Sequence, residues 1–93
     1  MTSSATLRRE LLRLAGARRQ PACISAKRMS AFYNVPEKSV RRELAKLAED
    51  KIIRLSGWDG HQMCPYSAWQ DADAFVDSAF NDAHFHVDLI HRD

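Results

Sequence analysis

No apolar run in this chain of 93 residues approaches the roughly 20 residues that a membrane-spanning helix needs. Its opening, M-T-S-S-A-T-L-R-R-E, lacks an apolar signal region, so a cytoplasmic protein is expected and secretion is not. Cysteine is scarce. Cys23 and Cys64 are far apart and show no C-x-x-C spacing, so two reduced thiols are expected rather than a disulfide. No glycine-rich phosphate loop, no nucleophile–base pair and no pair of catalytic carboxylates is present, so no enzymatic activity and no cofactor are expected. Positive charge is nearly missing from the second part of the chain. Residues 57–93 hold Arg92 alone against 7 Asp, a net of −6, whereas residues 1–56 hold 13 Lys and Arg against 5 Asp and Glu, a net of +8. A basic front with an acidic tail is the pattern of a protein that meets phosphate with one part and turns the other away.

The chain has the length of a single domain, without internal repeats or low-complexity segments. Leu7, Leu11 and Leu14 recur at i, i+4 and i+7, with Leu12 beside them, and predict a first helix over residues 4–15. Ser3 or Ser4 caps its start and Gly16 its end. Pro21 breaks any continuation, and Ala22-Cys23-Ile24 suits a short edge strand. Ser25 is an N-cap for a helix over residues 26–33, with Met29, Phe32 and Tyr33 expected to point inward. Asn34 tolerates a left-handed backbone and fits the tight turn that follows, plugged by Val35. Pro36 suits the start of the next helix, over residues 36–50.

In that helix Val40, Leu44 and Leu47 form the buried stripe. Lys38, Arg42, Ala45 and Glu49 then fall on the opposite side, where Lys38, Arg42 and Lys46 recur four residues apart, with Ser39 and Arg41 on the flanks. Ile52 to Leu55 reads as a strand, residues 56–60 as a turn with two glycines, and residues 61–64 as the returning strand. This hairpin over residues 52–64 is the expected wing, and Pro65 ends it. Trp58 and His61 fall near its tip. Trp58 has two readings: a wedge at the minor groove, or a cover for the C-terminal helix. Ser67 and Gln70 match a capping box, so a helix is expected from about residue 67 to residue 83, with Trp69, Ala72, Val76, Ala79, Phe80 and Ala83 on its apolar face. Residues 84–91 alternate polar and apolar, and periodicity leaves helix and extended strand both open.

The expected fold is therefore α+β, mainly α: a winged helix-turn-helix over residues 1–65, made of a three-helix core and a β-hairpin wing. An added C-terminal helix and tail occupy residues 66–93. A helix with a basic outer face behind a tight turn is shaped for the DNA major groove, where Arg reads guanine and Lys neutralises phosphate. Sequence-specific double-stranded DNA binding by a transcription regulator is the function expected. The Trp69, Val76, Phe80 face is expected to pack on the chain or to join two copies, since operator half-sites repeat at about one DNA turn; a homodimer is the expected state. No small-molecule effector is evident.

The segment M-S-A-F-Y-N-V-P-E-K-S-V-R-R-E-L-A-K-L-A-E-D-K-I-I resembles the pattern L-A-x-x-x-G-V-S-R-x-T-V-R-x-A-L-x-x-L-x-x-x-G-L-I of bacterial GntR-type winged-helix regulators. The likeness covers about residues 21–60. It implies phosphate contacts from Lys27, with Arg28 beside it, and places Lys38 and Ser39 at the groove. It implies a base or backbone contact from Arg41, and a minor-groove approach by Gly57 and its neighbours. The chain departs from the pattern where Pro36-Glu37 replaces Ser-Arg, and where Asn34 and Lys51 replace glycines. Glu37 brings a carboxylate to a base-contact position, so a different base preference and a weaker affinity are expected. The family's ligand-binding domain has no counterpart in the residues after the wing.

Two other readings stand beside this one. Glu37 and the acidic tail favour a protein-interaction winged helix, an adaptor or assembly subunit that does not bind DNA. Carboxylates breaking the positive face would speak for it. His84, His86 and Asp88, with His91 nearby, form an H-x-H-x-D pattern known from metal-binding strands. The other ligand segments of such sites are missing, so no metal site is expected.

Overall fold

The computed structural model describes residues 3–16, 22–78 and 85–90. The chain is α+β and mainly helical, with one four-stranded antiparallel sheet. Helix α1 spans Ser4–Gly16, and the Ser3 hydroxyl accepts the Thr6 N–H at 3.2 Å, which satisfies one of the open donors of its first turn. Leu7, Leu11 and Ala15 are buried, while Leu14 is only partly so. Strand β1, Ala22–Ile24, leads to helix α2, Ala26–Tyr33. Ser25 caps α2 by accepting the Arg28 N–H at 3.2 Å.

Asn34 ends α2 in the left-handed conformation, φ 55°, and the N–H groups of Asn34 and Val35 both donate to the Ser30 carbonyl. Val35 is buried beneath the turn. Phe32 does not point inward as expected. It is 79 % exposed, edge-on to Tyr33. At about 100° per residue, Ala26, Met29 and Tyr33 share one arc of this short helix and Phe32 falls well to its side. The aromatic character suggested burial where the helical phase does not allow it.

Helix α3, Glu37–Glu49, follows Pro36, which stands at the N-cap in extended conformation. It is the central helix: Val40, Leu44, Ala45 and Leu47 are fully buried, and even Glu43 is only 6 % exposed. Its end is a Schellman turn. Lys51 adopts φ 61°, its N–H donates to Ala48, and the Ile52 N–H reaches back to Leu47 at 3.0 Å. Lys51 therefore does the work for which glycine is the usual residue.

Strands β2, Ile53–Trp58, and β3, Met63–Pro65, form the hairpin. Its turn is not residues 56–60 but residues 59–62. Ser56, Gly57 and Trp58 lie within β2, opposite Pro65, Cys64 and Met63. Gly57 is buried; a Cβ there would lie 3.1 Å from a ring carbon of Phe85 and 3.2 Å from one of Phe75. This glycine serves close packing, which explains its place in a strand.

The helix expected from residue 67 starts later. A single 3₁₀ turn, Tyr66–Ala68, precedes helix α4, Ala72–Ser78. The cap is Asp71, whose carboxylate accepts the Ala74 N–H at 2.8 Å. The Ser67 and Gln70 capping box is not used, because Trp69 is extended between the two elements and lays its ring edge-on to Phe75 at 5.0 Å. Phe75 also meets Tyr66 and Phe85. It is fully buried, and the helical phase drawn through Trp69 and Val76 missed it. Ala79, Phe80 and Ala83 lie outside the described residues.

The tail is extended. Strand β4, Phe85–Leu89, enters the sheet between β1 and β2, in the order β1-β4-β2-β3. Val87 is opposite Ala22 on one side and Leu55 on the other. Phe85 and Val87 point into the core while His86 and Asp88 take the alternate positions. Residues 85–89 thus complete the same core that α1, α2 and α3 build.

Candidate functional site

The polar stripe expected on α3 exists. The side chains of Lys38, Arg42 and Lys46 are 66 %, 49 % and 57 % exposed, and the other sides of the helix are buried. Spacing turns residues 38, 42 and 46 away from the apolar positions 40, 44 and 47; it would turn Ala45 outward too, but that small side chain is fully buried. Ser39 is partly buried at the rim of a shallow cleft of about 170 Å³, between the start of α1 and the Val35-Pro36 turn.

Every cation of the stripe has a carboxylate partner. Lys38 Nζ lies 3.2 Å from Asp77, Arg42 Nη1 lies 3.1 Å from Asp73, and Lys46 Nζ lies 3.2 Å from Glu43. The first two partners belong to α4. Residues 38 and 42 meet residues 77 and 73 in that order, so α4 runs antiparallel along the flank of α3, with its carboxylates one turn apart to match the cations. Arg41 turns the same way. Its side chain is only 12 % exposed, its Nε–H donates to the Val76 carbonyl at 2.9 Å, and its Nη1 lies 4.0 Å from Glu37. Arg41 therefore ties α3 to α4 instead of standing free on the outer face.

Farther along, Arg8 of α1 lies 3.8 Å from Asp50 and shares a second shallow cleft with Arg42, Lys46, Glu49 and Ala72. The α3 stripe is thus flanked by α1 on one side and α4 on the other, and positive and negative side chains mix around it.

Lys27 and Arg28 are exposed in the first turn of α2, and among the described residues neither forms an ion pair. Gly57 is not at the hairpin tip but in the core, as described above. Trp58 is half-buried on β2 opposite Met63, one residue before the turn. Val76 is fully buried and Trp69 covers Phe75, so these two side chains of the expected dimer or packing face are occupied within the chain. Phe80 lies outside the described residues.

Sequence reasoning missed the residue that shapes the hairpin tip. Asp59 accepts the N–H groups of His61 and Gln62 at 2.8 and 2.9 Å, and the Cys64 thiol donates to its other oxygen at 3.2 Å. These donors, the Gln62 N–H foremost, hold the Asp59 carboxyl below its usual range, and the same carboxylate raises the Cys64 thiol. The signal was available in the Asp59-Gly60 pair, since Asp before Gly commonly folds its side chain over a turn. Tyr66, pushed up to about 12 by burial and by its hydrogen bond to Glu49, fastens the 3₁₀ turn to the end of α3.

His86 and Asp88 occupy alternate positions of β4, while His84 and His91 lie outside the described residues. Among the described residues, no three His, Cys, Asp or Glu side chains gather as a metal site, and no helix is long and apolar enough to cross a membrane. No family model, no curated protein and no solved structure matches this chain.

Proposed function

We propose that this chain is a winged helix-turn-helix that binds double-stranded DNA and regulates transcription in the cytoplasm, as a binding domain and not an enzyme. The observation that carries the reading is the exposed stripe of Lys38, Arg42 and Lys46 on α3, with the partly buried Ser39 at its edge, set behind a helix, a left-handed turn at Asn34 and a buried Val35. The order helix, strand, helix, helix, hairpin supports it, as does the GntR-type pattern of residues 21–60. In this reading α3 meets the major groove, Lys27 and Arg28 meet phosphate from the start of α2, and the tip at residues 59–62 takes the role first given to Gly57.

The ion pairs to Asp73 and Asp77 do not bar this. Both carboxylates are exposed, and exposed pairs are worth about 0–1 kcal/mol each. Duplex DNA offers a phosphate about every 1.7 Å along its axis, so it competes for the same cations. Pairing of two copies on a two-fold operator remains part of the proposal and needs a surface other than Val76.

The same two carboxylates favour the second reading, a protein-interaction winged helix, because they break the positive face. Fluorescence anisotropy with labelled genomic-fragment duplexes across a salt series separates the two. Tight binding of at least one fragment, weakened by Lys38→Ala with Arg42→Ala, supports DNA recognition. No binding at low salt removes it and leaves the protein partner.

A further inference from the structure

We propose that Asp73 and Asp77 form a fixed acidic rail that sets the affinity of α3 for nucleic acid, holding sequence-independent binding low. The inference rests on the DNA reading above and adds residues that neither the helix-turn-helix pattern nor the charge of α3 identifies.

Two observations carry it. The first is register: two carboxylates one turn apart on α4 face two cations one turn apart on α3, at 3.1 and 3.2 Å. The second is rigidity. A free helix of seven residues would not persist in water, but α4 is held by Phe75 and Val76, both at 0 % exposure. It is held also by the Asp71 cap and by the bond from Arg41 to the Val76 carbonyl. The rail therefore stays in place when a ligand approaches, and its charges are not swept aside like those of a loop.

The consequence follows from counterion release. Non-specific affinity for DNA comes from cations that neutralise phosphates. Lys38 and Arg42 neutralise Asp77 and Asp73 first, so a generic duplex gains little from them. A cognate site that offers hydrogen bonds to α3 gains what charge alone does not supply. The rail acts against wrong sequences by leaving phosphate attraction weak.

The test uses the whole chain and a labelled random-sequence duplex of roughly two helical turns. Wild type and the Asp73→Asn/Asp77→Asn double variant are compared from about 50 to about 200 mM salt. Both side chains are exposed and Asp71 is left intact, so the fold is retained; a thermal melt checks this, and the two single variants serve if the double variant melts early. The double variant is expected to bind roughly tenfold tighter at low salt, the loss of two exposed ion pairs. Its plot of log K against log salt should be steeper by about 1.8, two further phosphates at about 0.9 each. If wild type binds DNA and the variant shows the same affinity and slope, the rail does not exist and the DNA reading survives. If neither protein binds this duplex at any salt, the rail does not exist, and the genomic-fragment series decides the DNA reading separately.

Discussion

Replacing Gly57 tests the packing of the core directly. A Cβ added at this position meets two ring carbons of Phe85 at 3.1 and 3.2 Å and one of Phe75 at 3.2 Å. Both rings are fully buried and packed on each other with centroids 5.6 Å apart, so a shift of either disturbs its neighbours. Overfilling a tight core costs about 1–3 kcal/mol. Against this, alanine gains about 0.5–1 kcal/mol over glycine inside regular structure. Gly57→Ala should therefore destabilise the fold by about 1 kcal/mol, and Gly57→Val, with two more methyl groups, by about 3 kcal/mol. Urea denaturation followed by circular dichroism reads this out. With a slope of about 1 kcal/mol per molar urea, the midpoints fall by about 1 M and about 3 M. Combining Gly57→Ala with Phe75→Leu should cost less than the sum of the two, because the smaller side chain vacates the space the methyl needs. A Gly57→Ala protein as stable as wild type would refute the packing argument.

Two further predictions concern single positions. Lys51→Gly should raise stability by about 0.5–1 kcal/mol in the same urea assay, since a left-handed L-residue carries about 1–2 kcal/mol of strain and glycine returns about half of that in unfolded-state entropy; a loss of stability would mean that the lysine side chain contributes more than its backbone costs. Cys23 is exposed, whereas Cys64 is buried with its thiol raised by Asp59, so a thiol reagent at neutral pH should modify one cysteine rapidly and the other only on unfolding. Two equally fast thiols would mean that the hairpin tip opens freely.

Much of the local structure was legible in the sequence. The Ser25 cap, the left-handed turn at Asn34, the buried stripe of Val40, Leu44 and Leu47 and the opposed stripe of Lys38, Arg42 and Lys46 all depend on residues within about one helical turn of each other, and spacing alone reveals them. The Asp71 cap is local too, but Ser67 competed for the assignment. What decided against Ser67 was the burial of Phe75 between Tyr66, Trp69 and Phe85, which fixes where α4 can begin.

The sequence by itself determined the first three helices, the presence of a hairpin and the existence of a basic stripe, because caps, turns and periodicity act over a few residues. Only the tertiary structure decided what that stripe faces. Arg42 meets Asp73 across 31 positions of sequence and Arg41 meets the Val76 carbonyl across 35; no spacing rule connects such residues. The role of Gly57 was likewise hidden, since its constraint comes from Phe75 of α4 and Phe85 of β4, two rings that the fold brings together beside it. A tail that could be read as helix or strand became a strand because β1 and β2 leave open, between them, a line of backbone hydrogen bonds that β4 fills with Phe85 and Val87 turned to the core.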